Sequence, residues 1–315
     1  MMERTKLLIR PEQVTDYPEI GILHVRAFGN RPVESLIVAL HRHRRAFDPE
    51  LSLVAEINGR VVGHVLFSPH QMHLLDQVVP TVNLAPLAVD PAYQGQGIGG
   101  QLITEGHRLA AAKGYRVSVL VGHPTYYPRF GYHTHAFGTA QLVLSSEAFH
   151  EDLLEVRGPG NEDGPILSDL WRHEEGTVDM VFEPGLDVLD WLSPNPAVRV
   201  TVYTRYSEVV GYTRIHTAEP TRPRVFLARD HEAARAMIAT MAHTLSAGAS
   251  GTEYLLPLHP SSASVHAFGH ATATREAWAM ACSLGPSPLD DYFSRVREGQ
   301  RPPGRVIWPV AFDLD

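Results

Sequence analysis

Residues 53–57 and 61–67 are two apolar, β-branched runs joined by Asn58-Gly59, the dipeptide that a type I′ turn prefers, and they predict an antiparallel hairpin. Before it, residues 32–45 place Leu36, Ile37 and Leu40 on one face of a helix. After it, residues 82–89 form an apolar strand. A glycine-dense turn follows, and then a helix that buries Ile98, Leu102, Ile103, Leu109 and Ala110. Lys113-Gly114 supplies the basic residue and the glycine expected where a helix stops. Residues 117–121 are the next strand. The order helix, hairpin, strand, helix, strand predicts a mixed α/β layer with the glycine turn in its middle.

Residues 157–163, rich in glycine and acid, read as a linker. Beyond them the first half returns in a faded form. Val209-Val210-Gly211 echoes Val61-Val62-Gly63, His259-Pro260 echoes His123-Pro124, and Phe268-Gly269 echoes Phe130-Gly131. Between these landmarks lie a strand over 224–228 and a helix over 231–245, with Ala234, Met237, Ile238, Met241 and Leu245 at helical spacing. Where the first half has its glycines the second has Ala228-Arg229-Asp230-His231, whose carboxylate would repel an anion. Two domains are expected, residues 1–160 and 161–315, consistent with 315 residues being long for one core.

A formal charge of -8 argues against nonspecific nucleic-acid binding. Residues 1–10 lack the apolar core of a signal peptide and no apolar run reaches membrane-spanning length, so a cytoplasmic protein is expected, with no membrane partner. Cys282 is the single cysteine, which leaves no internal disulfide and no thiolate metal site, and the 18 histidines show no ligand spacing. His41 and His43, set among arginines, read as a solvated basic helix end rather than a metal site.

The chemistry is concentrated in Asp90-Pro91-Ala92-Tyr93-Gln94-Gly95-Gln96-Gly97-Ile98-Gly99-Gly100. Glycines let backbone N–H groups approach an anion without Cβ obstruction, and a helix N-terminus adds partial positive charge. This is a phosphate cradle. Gly95, Gly97 and Gly100 satisfy the dinucleotide fingerprint G-x-G-x-x-G, but no carboxylate lies between Glu105 and Glu147 to hold a ribose, and a hairpin precedes the turn. No Gly-Lys-Ser/Thr follows, so a nucleotide P-loop is excluded as well.

Gln94-x-x-Gly97-x-Gly99 resembles the Q/R-x-x-G-x-G/A signature of the GNAT superfamily of acyl-CoA N-acyltransferases. Tyr127-Pro128-Arg129-Phe130-Gly131-Tyr132 is similar to the Tyr-x-x-x-Gly-aromatic ending that follows the family's fifth strand. The resemblance covers about residues 7–144, with a degenerate second copy from about Leu167, and tandem enzymes of the enhanced-intracellular-survival type carry a similar Tyr-x-Arg-Phe-Gly-Tyr run.

The resemblance implies acetyl-CoA as cosubstrate, its pyrophosphate on the backbone of Gly95, Gln96, Gly97, Ile98, Gly99 and Gly100, with Gln94 shaping the entry. Leu87, Ala88 and Val89 would pair their backbone with the pantetheine amides, and an amide near Leu87 or Ala88 would polarise the thioester carbonyl. Tyr127 would be the general acid that protonates the departing thiolate, a phenol of ordinary pKa near 10 suiting a thiolate of comparable basicity. The asparagine the family usually has upstream of this tyrosine is missing, and His123-Pro124 occupies a shorter connection. For the base that frees the attacking amine, Glu34, His24, His64 and the carboxylate of Asp315 are candidates without a motif.

The reading is an N-acetyltransferase acting on a small-molecule or peptide amine by direct attack in a ternary complex. The second copy would wall the acceptor cleft or support oligomerisation, and a homo-oligomer is compatible with the chain. A catalytically silent acyl-CoA sensor is the alternative, and an NAD-dependent oxidoreductase a remote one.

Overall fold

A computed structural model describes residues 7–145, 152–245 and 252–314. The first half contributes β1 (Leu7–Pro11), α1 (Tyr17–Ala27), α2 (Val33–Arg42), β2 (Ser52–Ile57), β3 (Arg60–Leu74), β4 (Gln77–Val89), α3 (Ile98–Ala112), β5 (Val117–Val121) and β6 (Ala140–Ser145). Asn58 (φ 52°) and Gly59 (φ 77°) both take the left-handed region that a type I′ turn demands, so the β2–β3 hairpin closes as expected. α3 packs Ile98, Leu102, Ile103 and Ala110 on one face of the sheet. α1 and α2 cover the other face, where Ile20, Leu23 and Val38 meet Val54, Val61, Leu66 and Ala88.

Two expectations for α2 are corrected. Leu36 is 47% exposed, while the buried stripe runs through Ile37, Val38 and His41. His41 is not at a solvated end: its ring meets Phe312 from the end of the chain at 5.3 Å, a covering segment that the local pattern of α2 does not reveal.

The second half contributes β7 (Glu155–Arg157), α4 (Gly164–Glu175), β8 (Val198–Arg205), β9 (Glu208–His216), β10 (Pro223–Ala228), α5 (His231–Leu245), β11 (Glu253–Leu256), β12 (Thr272–Ala273), β13 (Ala279–Ser283) and α6 (Leu289–Arg297). It repeats the first half in detail. Arg10 grips Asp16 through both terminal nitrogens (2.6 and 3.0 Å) ahead of α1, and Arg157 grips Asp163 in the same way (2.5 and 2.7 Å) ahead of α4. Residues 157–163 are therefore the opening of the second copy rather than a free linker. A Cβ on Gly63 would press on Leu102 and Ile98 of α3, and one on Gly211 would press on Met237 of α5. The matched glycines let each helix lie close against its sheet.

Strand pairing runs across residue 160. β13, from the second half, pairs antiparallel with β5 and completes the six-stranded sheet β1-β2-β3-β4-β5-β13. β6, from the first half, pairs antiparallel with β11. Each half lends its last strand to the other. The backbone of Val181–Glu183 also docks on the far edge of β3, with His73 N–H donating to Val181 O (2.9 Å) and Glu183 N–H donating to Gln71 O (2.8 Å).

Candidate active site

The sheet opens in the middle of the first half. β4 pairs parallel with β5 only at Thr81↔Val117, Val82↔Ser118 and Asn83↔Val119, and residues 84–89 continue without a partner on that side. β3 still holds the opposite edge of β4 as far as Gly63↔Val89. The wedge so formed leaves peptide groups of residues 84–89 that face away from β3 without a strand partner, Val89 O being taken by Gln94. Leu87 and Val89 are partly buried and Ala88 is 2% exposed, so their side chains pack into the fold.

The wedge leads to the N-terminus of α3. Asp90 anchors the turn, accepting from Ala92 N–H (3.0 Å) and pairing with Arg60 (3.0 Å). Gln94 folds back to donate from Nε2 to Val89 O (3.0 Å), fixing the turn to the strand end. Gly95 (φ 76°) and Gly97 (φ 80°) take left-handed backbone, with no atom within 4 Å of where a Cβ would stand on either. Gly97 caps α3, no side chain caps the helix, and no acid stands in its first turn. The first-turn N–H groups of Ile98, Gly99 and Gly100 are thus orphan donors at the positive end of the dipole. Ile98 turns its side chain into the core (3% exposed) and offers only backbone, while Gln96 is exposed.

Gly99 and Gly100 have a second cause. A Cβ on Gly99 would stand 2.8 Å from the Tyr126 hydroxyl, and one on Gly100 would stand 3.0 Å from Phe130. Tyr126, and Phe130 of the motif, to neither of which the sequence assigned a role, roof the first turn of α3. The aromatic spacing before Gly131 was the available signal. Among the described residues the second half shows no such cradle: Arg229 N–H donates to Val210 O (2.9 Å) as Asp90 N–H does to Val62 O (2.9 Å), but α5 then starts at His231. Asp230 caps it, accepting from Ala233 N–H (2.8 Å).

Tyr127 opens a short 3-10 turn after β5, its ring lying flat enough on Gly122 that a Cβ there would come within 2.4 Å. Edge contacts to Tyr126 (5.0 Å) and Tyr132 (5.9 Å) hold it. Burial, reinforced by Tyr126, pushes its phenol up to about 12, above the ordinary value assumed from sequence. Tyr132 behind it is fixed by Ser118 Oγ (2.6 Å) and His107 Nε2 (2.9 Å). His123 is exposed on the connection before this turn.

Of the candidate bases, His24 and His64 are brought together: His24 Nε2 and His64 Nδ1 are 2.8 Å apart, and both are fully buried. His64 Nε2 faces Ser52 Oγ (2.9 Å) and the Glu12 carboxylate (3.3 Å), itself clasped by Arg42 (2.7 Å). Burial, then His64 and Arg42, holds His24 well below the usual imidazole range. Glu34 lies in the first turn of α2, 3.7 Å from Arg31. Asp315 lies outside the described residues.

Residues 8–135 match the family described as acetyltransferase (GNAT) domain. The chain is 36% identical over 157 residues to the "Uncharacterized N-acetyltransferase YhbS" of Escherichia coli, an alignment spanning 50% of this chain and 83% of that relative. The chain belongs to the GNAT N-acetyltransferase family. A second Escherichia coli relative, "Uncharacterized N-acetyltransferase YjhQ", is 39% identical over 119 residues, which span 38% of this chain and 65% of YjhQ. Multi-domain GNAT structures share the fold along most of the chain. A probable N-acyltransferase from Enterococcus faecalis matches with a TM-score of 0.69 at 15% identity, over 89% of this chain and 73% of that one. Eis1 from Mycobacterium abscessus matches with a TM-score of 0.58 at 17% identity, over 89% and 74%. The tandem GNAT architecture expected from the sequence is thereby met at the level of fold. Among the described residues, no helix is long and apolar enough to cross a membrane.

Proposed function

We propose that this GNAT member transfers the acetyl group of acetyl-CoA directly to a primary amine in a ternary complex, with the chemistry in the first half. The observation that carries the reading is the continuity of wedge and cradle. β4 loses its β5 partner after Asn83 and runs on to a turn whose glycines leave uncapped amides open. That shape fits an extended thioester whose diphosphate needs amides at one end and whose pantetheine needs a strand-like partner along its length.

Gly95, Gln96, Gly97, Ile98, Gly99 and Gly100 hold the diphosphate through backbone N–H groups, and Gln94 locks the turn to the strand. Leu87, Ala88 and Val89 pair the pantetheine, and a peptide N–H at Leu87 or Ala88 polarises the thioester carbonyl. The amine nitrogen forms the new C–N bond as the C–S bond breaks, and the ammonium proton leaves to solvent or a base. Tyr127 stays protonated across the working range and faces the departing sulfur as a hydrogen-bond donor. With its phenol near 12, donation to the thiolate is a stabilising hydrogen bond more than a completed transfer.

The second half walls the acceptor side without a donor site of its own, and we place the division ahead of β7 at Glu155 rather than at residues 160/161, with the last strands exchanged. Thermal shift with acetyl-CoA, CoA and NAD tests the donor: stabilisation by NAD alone would overturn the reading. Thiol release from acetyl-CoA across an amine panel tests transfer, and binding without release for any amine would leave a sensor in its place.

A further inference from the structure

Asn83 is 0% exposed, and neither its Oδ1 nor its Nδ2 has a hydrogen-bond partner. Buried polar groups are nearly always partnered, and a primary amide with neither end satisfied is an exception the fold alone does not explain. Its position is specific: Asn83 is the last residue at which β4 pairs with β5, so it sits at the closed tip of the wedge.

The face it occupies follows from its neighbours. Val82 and Leu84 turn toward α3 with Leu102 and Ile103. Asn83, between them, turns to the opposite face, where Ser68 and Val119 are its cross-strand partners. That face carries one apolar cluster under α1 and α2, including Leu66 and Ala88, and another including Met72, Val79 and Val119. Asn83 belongs to neither. Around it the face is polar: Ser68, His70 and Thr81 are all buried, with Ser68 Oγ 3.3 Å from His70 Nε2. His70 in turn borders a cleft of about 850 Å³ between the halves, lined also by Arg44, Glu183 and Asp190.

We propose that Asn83 is a specificity-determining residue that binds a second polar group of the acceptor, so that the preferred substrate is an amine carrying a carboxamide-like group. An amide offers one acceptor and paired donors, and its best complement is another amide. At about 3.3 Å of rise per residue, Asn83 lies roughly 13–17 Å along β4 from Leu87–Ala88, too far to touch the attacking nitrogen and placed for a polar group carried some way behind it. This inference rests on the acyl-transfer reading above.

The test compares n-heptylamine with 6-aminohexanamide, matched in length, on the full chain and on Asn83→Leu and Asn83→Val. Wild type should favour the amide by at least about tenfold in kcat/KM, because a buried amide left unpaired penalises the alkylamine. Both variants should bring the preference within about threefold, with the KM for acetyl-CoA unchanged. Thermal melting gives a readout independent of turnover: removing an orphan amide should raise the Tm of at least the better-fitting variant. No preference for the amide in wild type, or a lowered Tm in both variants with the preference intact, overturns the inference. If wild type releases no thiol with any amine, the transfer reading fails by itself, and the melting shift still decides whether the fold needs Asn83.

Discussion

The hydroxyl of Tyr126 lies against the first turn of α3, 2.8 Å from where a Cβ on Gly99 would stand. Contacts that short are not sustained, and a ring cannot retreat as a flexible chain end does. Gly99→Ala should therefore displace Tyr126 and raise the Kd for acetyl-CoA about tenfold, measured by calorimetry, with little change in melting. Tyr126→Phe removes the colliding oxygen, so the double variant should recover most of the lost affinity. Additive losses in that cycle would show that the two residues are uncoupled.

Gly97 poses a different constraint, since φ of 80° strains any side chain although no atom crowds it. Gly97→Ala should cost about 1 kcal/mol in folding and weaken acetyl-CoA binding more than it weakens the fold. Gly106→Ala is the contrasting case: its Cβ would fall on the Phe67 ring inside the core, far from the cradle. It should lower stability by about 1–3 kcal/mol in denaturant titration while leaving the acetyl-CoA Kd of the folded fraction intact.

Tyr127→Phe should slow kcat by about 10²-fold, the lower end for a proton donor, with the acetyl-CoA KM within twofold. Because burial holds the phenol near 12, the wild-type rate should show no alkaline fall from this group below that pH. A rate unchanged by the substitution would make Tyr127 a packing residue on Gly122 and Tyr132.

Much of the site was legible because its constraints are local. Asn58-Gly59, the cradle glycines and Lys113-Gly114 each answer to backbone geometry within a few residues, and a sequence records such demands directly. What stayed hidden depends on distant partners. β6 and β13 are short apolar strands that could pair at either sheet, and nothing within Ala140–Ser145 or Ala279–Ser283 announces the exchange. His41 looked solvated because the segment that covers it lies near the end of the chain. Asn83 sits in an apolar run where one polar residue draws no notice until strand pairing shows where the wedge closes.

Stability should fall as pH rises from about 4.5 toward 8. Glu174, fully buried beside Glu175, has its carboxyl pushed up to about 8, by burial first and by Glu175 second. The folded chain keeps this proton while the unfolded chain releases it near 4.5, so between those values the unfolded state binds fewer protons and gains ground. Glu174→Gln preserves the shape and the bonds to Ser264 N–H (2.9 Å) and Ser264 Oγ (2.6 Å). Melting temperature followed from pH 5 to 8 should decline less steeply in the variant, and parallel curves would refute the assignment.

The repeated arginine bracket gives the last expectation. Asp163 accepts both Arg157 terminal nitrogens and Gly160 N–H (2.6 Å), as Asp16 accepts both of Arg10 and Gln13 N–H (2.7 Å). In each copy one buried carboxylate ties the end of the first strand to the start of the first helix. Asp163→Asn should cost about 1–3 kcal/mol, because the amide cannot accept at both positions. Arg157→Lys should recover little of the geometry, since an ammonium cannot reproduce the fork. The loss should appear in denaturant unfolding with acetyl-CoA affinity unchanged, because the second copy carries no cradle. A fall in acetyl-CoA affinity matching the loss in stability would instead mean that the second copy holds the first in its binding shape, a coupling that the exchanged strands provide a route for.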